Sequence, residues 1–338
     1  MSTSTPHGST SRGVSSGPGA APIAIAGFRQ IYSTTRVETA LEDLPAGANE
    51  SLKGTYERML EAGGERFCVK PGSMPDFEAL AQELPNFREV LEDLRRQLAL
   101  CLETSDPVEL TPLLLLGEPG IGKTHFARRV AQLLGTGYGF VSMSSLTAGW
   151  ILSGASSQWR NSRTGKVFDT LVRGDYANPV MVVDEIDKAA GDGQYDPLGA
   201  LYTLLEPDTA AEFVDEFAEI PLDCSEIVWV ATANEAGRIP EPILNRMNVY
   251  EIPPPDHEGS RRIAQHLYRE IRDAHKWGAR FPEEPSEGVL ERLARCAPRE
   301  MRRLLIGGFG AAKLAARSRI EPSDLSAERA GRRGRIGF

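Results

Sequence analysis

From Asn86 onward the chain alternates between two hydrophobic rhythms. Phe87, Val90, Leu91, Leu94, Leu98 and Leu102 recur every three or four residues, the spacing of one helix face. Leu113–Leu116 is then a short, wholly apolar run that ends at Gly117, as a strand buried on both faces reads. Val180–Val183 and Ile227–Ala231 repeat that signature, with helical stretches between them. Such alternation predicts an α/β domain, a parallel sheet sandwiched by helices, over residues 85–254. After Pro253, Pro254 and Pro255 the strand runs stop. His257–His275, Val289–Cys296 and Pro298–Arg317 read as helices, although Gly307, Gly308 and Gly310 weaken the last. A small helical domain over 255–328 is therefore expected.

The flanks carry less pattern. Residues 1–22 are mostly Ser, Thr, Gly, Pro and Ala and have too little apolar surface to fold, so a disordered tail is expected. Residues 23–84 hold a possible helix near Tyr56–Glu61 and a turn at Pro71 and Gly72, and no function follows from them. Residues 329–338 form a short basic end with Arg329, Arg332, Arg333 and Arg335, either a solvated tail or a dock for an acidic partner.

Composition narrows the class. The 338 residues are 41% hydrophobic and 25% charged, as in an ordinary globular protein. The net charge of −9 argues against a dedicated nucleic-acid binder, which needs a basic face. Cys68, Cys101, Cys224 and Cys296 form no C-x-x-C pair and read as small core residues. No apolar run approaches the roughly 20 residues of a membrane span, and no secretory signal opens the chain, so a cytoplasmic protein is expected.

The strongest chemical signal is G-x-x-x-x-G-K-[ST], spelled Gly117, Glu118, Pro119, Gly120, Ile121, Gly122, Lys123, Thr124, followed by His125. It lies between a strand and a predicted helix, Thr124–Leu134, where such a loop can wrap phosphates with backbone N–H groups. Lys123 would reach the β- and γ-phosphates of ATP, and Thr124 would offer its hydroxyl to Mg²⁺. The next apolar strand runs into Asp184 and Glu185. Asp184 would hold Mg²⁺ and Glu185 would polarise an attacking water, unless the pair only caps the following helix. Asp187 and Lys188 are assigned to structure or subunit contact. Asn234 ends the third strand, where its amide can help place water or can simply start a turn.

The order of these pieces, followed by two arginines, resembles the AAA+ superfamily. Residues 86–326 look most like the ATPase part of Lon proteases, through GEPGIGKT, DEIDK, LYTLLEPDTAAEFVDEFAEIPLDCSEIVWVATAN and IPEPILNRMNVYEI. The resemblance implies an AAA+ P-loop NTPase with a helical lid, working as a homo-oligomeric ring, usually a hexamer. It matches Arg246 to the arginine finger that reaches a neighbouring subunit's nucleotide, a surface ion pair being the alternative. It matches Arg299 to the lid arginine called sensor 2, with Arg302 and Arg303 close enough for the register to slip. Asn86 and Phe87 fall on the segment that lines the adenine pocket, although Phe87 can equally serve the core.

Gly165 and Lys166 fall where that family ends its first pore loop, and Trp159 falls on the aromatic that grips a polypeptide. The loop here is rich in Ser and Arg, unlike the compact Gly- and Pro-containing loop of the family, and Trp159 can also fold back onto the sheet. The sequence stops at Phe338, just after the lid, so no Ser–Lys peptidase domain is expected. Downstream of the lid arginine the serines are Ser318, Ser323 and Ser326, and the lysine is Lys313. Two functions remain open: an ATP-driven motor that reshapes an unknown protein partner, alone or feeding a separate protease, and a nucleotide-dependent switch or scaffold with slow turnover. A DNA-handling motor fits the acidic balance poorly.

Overall fold

The computed structural model describes residues 21–45, 47, 49–144, 148–159, 162–189 and 196–325. The expected tails fall outside this range, except for residues 21 and 22. The strands in chain order are β1 (Ile23–Gln30), β2 (Glu65–Pro71), β3 (Leu113–Leu116), β4 (Tyr138–Ser142), β5 (Val180–Asp184), β6 (Phe213–Val214), β7 (Pro221–Leu222), β8 (Val228–Ala233) and β9 (Asn248–Glu251).

Five of them make one parallel sheet in the order β4-β5-β8-β3-β9. Side chains alternate across it. Leu113, Leu115, Val180, Val182, Val228 and Val230 enter one core, while Leu114, Met181, Val183, Trp229 and Ala231 enter the other. That is why these runs are apolar at every position: each face of the strand is covered. The register pairs Leu116 with Ala233 and Val183 with Ala231. The ends of β3, β5 and β8 therefore meet at one edge, where open α/β sheets bind ligands.

The expected helix after Asn86 runs from Arg88 to Cys101, and the one after the phosphate loop from Lys123 to Leu134. The last helical segment spans Pro298–Leu314 without a break. Gly308 is needed there for close packing, since a Cβ would sit 3.1 Å from both Ile320 and Leu325. With His257–Asp273 and Glu287–Leu293 this helix encloses a third core, including Tyr268, Leu293, Met301 and Phe309.

Residues 23–84 share the cores of the α/β layer. Ile31, Tyr32, Leu52, Tyr56 and Met59 pack with Leu152, Phe168 and Phe217, and Phe77, Leu80 and Leu84 join the opposite core with Phe126. β1 and β2 form an antiparallel pair, and the helix Glu50–Ala62 contains the expected turn of helix at Tyr56–Glu61. Two buried cations fasten this segment to helix ends. Arg66 donates to the carbonyls of Leu171 and Val172 at 2.9 and 2.6 Å. Lys70 donates to those of Thr104 and Asp106 at 2.6 and 3.0 Å, beyond the helix that ends at Cys101. Both sit where a helix C-terminus favours positive charge.

Candidate functional site

The chain leaves β3 at Gly117 and turns back to enter the helix Lys123–Leu134. Gly120 and Gly122 have φ of +85° and +106°, a region that L side chains rarely adopt. At Gly117 a Cβ would lie 2.5 Å from the Ile252 carbonyl oxygen. The glycines are thus required by the backbone path, which opens the helix N-terminus toward a cleft of about 440 Å³. Pro119, Ile121 and His125 line that cleft beside Gly120, Gly122, Lys123 and Thr124.

Lys123 is buried and donates to the carbonyls of Gly117 and Glu118 at 2.6 and 2.9 Å and to Asn234 Oδ1 at 3.0 Å. Burial pushes its pKa down, and Asp184, Asp187 and Glu185 pull it back up. Thr124 donates its hydroxyl to Asp184 Oδ1 at 2.7 Å, and Thr232 does the same from β8 at 2.7 Å. The Glu185 N–H in turn donates to Thr232 Oγ1 at 3.0 Å. Glu185 itself stands at φ 57°, ψ 48°, the left-handed region. For a residue with a Cβ this costs about 1–2 kcal/mol, and the Thr232 bond helps to hold it there. Its carboxylate pairs with Lys188.

Asp187 is buried and accepts the backbone N–H groups of Asn234 and Glu235 at 3.1 and 3.2 Å. It braces the end of β8, so that Asn234 faces Lys123. From the lid, Arg299 reaches the cleft with its Cβ 3.4 Å from where a Cβ on Gly120 would stand. Arg302, also in the lining, is paired with Glu270 at 2.6 Å, while Arg303 pairs with Glu300. Among the described residues no hydrogen bond or ion pair engages the Arg299 side chain.

Three elements meet at Glu83, a buried carboxylate at the end of the helix Phe77–Glu83. It takes His125 Nε2 at 2.9 Å and Arg129 at 2.9 Å, and His266 of the lid lies 3.8 Å away. Burial works to raise the Glu83 pKa, but the His125 hydrogen bond and the positive charges outweigh it and hold it below the usual value. Burial also lowers that of His266, against Glu83 and Glu270.

The two residues expected at an adenine pocket stand behind the loop. Phe87 is fully buried and stacks on Phe126 with ring centroids 4.5 Å apart. Asn86 Nδ2 donates to the Ile121 and Pro253 carbonyls at 3.3 and 3.2 Å. Glu83 and Leu84 line the cleft in their place. Arg246 is not in the cleft: it pairs with Glu206 at 2.6 Å beside a separate cavity. Trp159 is 54% exposed and meets Trp150 edge-on, with ring centroids 5.3 Å apart.

Sequence reading missed Thr232, Glu83 and His266. A hydroxyl inside the apolar run VWVATA was a usable signal for Thr232, because a buried polar group needs partners. Nothing in the local pattern marks Glu83 or His266, which meet only through tertiary packing.

The chain resembles known proteins across its α/β layer. Residues 113–254 match the model of the ATPase family associated with various cellular activities (AAA). The peroxisomal Lon protease homolog 2 of Arabidopsis thaliana is 35% identical over 187 residues, 54% of this chain and 21% of that protein. Lon protease of Halothermothrix orenii is 34% identical over 189 residues, 55% of this chain and 24% of that protein. The chain thus matches about a quarter or less of the length of either relative. Among solved structures, the Saccharomyces cerevisiae Hsp104:casein complex in its extended conformation superposes with a TM-score of 0.55 at 15% identity, over 71% of this chain and 48% of that one. A closed-state Hsp104 reconstruction with FITC casein gives 0.56 at 15% identity, over 84% and 52%. At that identity the likeness is one of fold.

Proposed function

We propose that this chain, whose residues 113–254 form an AAA domain related to the ATPase module of Lon proteases, binds ATP with Mg²⁺, hydrolyses it, and works as a ring on a polypeptide partner. The single observation that carries the chemistry is the join between the phosphate loop and the acidic strand end, Thr124 to Asp184 at 2.7 Å. A hydroxyl and a carboxylate oxygen side by side suit Mg²⁺, a hard cation that takes oxygen ligands. When bound, the ion neutralises charge on the phosphate oxygens. Backbone N–H groups of the loop and Lys123 hold the phosphates. Glu185, beside Asp184 and fixed by Thr232, orients water and accepts its proton. Asn234 and Arg299 flank the same space.

Ring action is supported by what one chain leaves out of its own cleft. Arg246 lines a different cavity from the phosphate loop, so it does not serve its own chain's cleft and fits a role at another copy's nucleotide once released from Glu206. The exposed Trp159 and Trp150 pair supports contact with a polypeptide. Lys313 and Ser318 are both exposed on the lid, which argues against this pair as a Ser–Lys peptidase dyad. A slow nucleotide switch is favoured by one observation, the ion pair that keeps Arg246 on its own Glu206. Turnover of ATP by the purified chain, with and without casein as an unfolded polypeptide, separates the two. Stimulation by casein is expected of the motor, and turnover that stays slow and indifferent to casein supports the switch.

A further inference from the structure

Residues 23–84 and the segment after β6 converge on the stem of the Trp159 loop. Gly165 closes that stem, and its N–H donates to Asp215 Oδ2 at 2.7 Å. Asp215 is fully buried, and its other oxygen accepts the N–H groups of Phe217 and Ala218, both at 3.0 Å. The opposite stem residue, Gly154, leaves no room for a side chain, since a Cβ would lie 2.8 Å from the same carboxylate. The Glu216 N–H donates to the Ser153 carbonyl at 2.7 Å, and the Ala155 N–H to that of Arg163 at 3.1 Å. From the N-terminal side, Tyr56 Oη donates to the Ala218 carbonyl at 2.9 Å. Asn49 caps the helix Glu50–Ala62 with its Oδ1, and its Nδ2 donates to the Ser157 carbonyl at 3.1 Å, two residues before Trp159.

We propose that Asp215 and Asn49 are positioning residues that fix the Trp159 loop from two sides, and that residues 23–84 serve as a bracket for this loop. A loop that bears force on a polypeptide needs a rigid root. A buried carboxylate accepting three N–H bonds gives one. The contacts also connect the loop to the segment Phe213–Ala218, which leads through β7 into β8 and the Asn234 that follows it. The loop's role in gripping polypeptide rests on the function proposed above; the bracket rests on the contacts.

Two substitutions test this in the full 338-residue chain. Asp215→Asn keeps an oxygen for Phe217 and Ala218 but offers Gly165 no acceptor. Asn49→Asp keeps the cap and replaces the donor to Ser157 with a carboxylate oxygen that the Ser157 carbonyl repels. Amide exchange across residues 152–168, read by mass spectrometry at pH 7.5, should quicken about tenfold or more in Asp215→Asn, the scale of a lost charge-assisted hydrogen bond. Asn49→Asp should quicken residues 154–159 about threefold, as a neutral bond would. With casein as polypeptide, both variants should raise the KM for casein more than they lower kcat. Unchanged exchange in both variants overturns the bracket. Quickened exchange with an unchanged KM for casein, in a chain whose casein response is abolished by Trp159→Ala, overturns the positioning role. If Trp159→Ala leaves the casein response intact, the polypeptide reading fails and the bracket stands or falls on exchange alone.

Discussion

Thr232 and Glu185 are joined across two strands: the backbone N–H of Glu185 donates to the Thr232 hydroxyl at 3.0 Å, and that hydroxyl donates to Asp184 at 2.7 Å. One buried side chain thus sets both carboxylates of the strand end, one by direct contact and one through the backbone of a residue in the left-handed region. The catalytic geometry proposed here depends on β8 as much as on β5.

Thr232→Val should expose that dependence. Valine matches threonine in shape but leaves the Glu185 N–H without its partner, at a cost of about 1–3 kcal/mol in unfolding free energy. Turnover should fall about tenfold or more, because a mispositioned base loses much of its effect. ATP affinity should change much less, since Lys123 and the loop are untouched. A titration of ATP binding alongside initial-rate measurement checks both, and an equal loss in the two would mean that Thr232 only supports the loop.

Asp215 should make stability depend on pH in a defined window. Burial pushes its pKa up to about 6 from 3.8, against three backbone N–H bonds that pull it down. A raised acid contributes stability that is complete below the unfolded value and is lost as pH rises through the folded one. Relative to Asp215→Asn, the wild-type chain should therefore lose on the order of 3 kcal/mol between pH 4 and pH 7.5. Urea unfolding of both proteins across that range measures it. A difference that stays flat would place the Asp215 pKa near its ordinary value.

Much of this was legible in the sequence, and the rest was hidden for physical reasons. β3, β5 and β8 are apolar at every position because they are covered on both faces, so their runs stand out. β4 is an edge strand of mixed residues, Tyr138 to Ser142, and β9 exposes alternate positions; neither has a run to see. The loop glycines, Lys123 and Thr124 announce themselves because phosphate chemistry fixes their spacing. Glu83 meets His125 and His266, 42 and 183 residues away in the chain, and Asp215 meets Gly165, 50 residues away, and no local period encodes that. Phe87 was ambiguous because a buried aromatic beside a ligand loop and one behind it have the same helical spacing.

Arg246 provides the prediction for assembly. Arg246→Ala and Glu185→Gln should each lower turnover, the first by about 10³-fold if it acts as an arginine finger. Mixed before assembly, they should recover part of the activity, because some interfaces then pair an intact Glu185 with an intact Arg246. Turnover should also rise faster than linearly with protein concentration. A mixture as inactive as its parts, or full activity in a dilute monomer, would show that Arg246 does not act across a boundary.

The most direct test of ATP hydrolysis at this site is the turnover of Glu185→Gln, measured with its affinity for ATP–Mg²⁺ in the same preparation. Glutamine keeps the size of the side chain and cannot accept the proton of the attacking water. Affinity should stay within a few-fold of wild type while turnover falls about 10²-fold or more; Lys123→Ala, as the control, should lose binding itself because the charge facing the phosphates is gone. Near-normal turnover by Glu185→Gln would contradict the account and leave Glu185 as a partner of Lys188 alone.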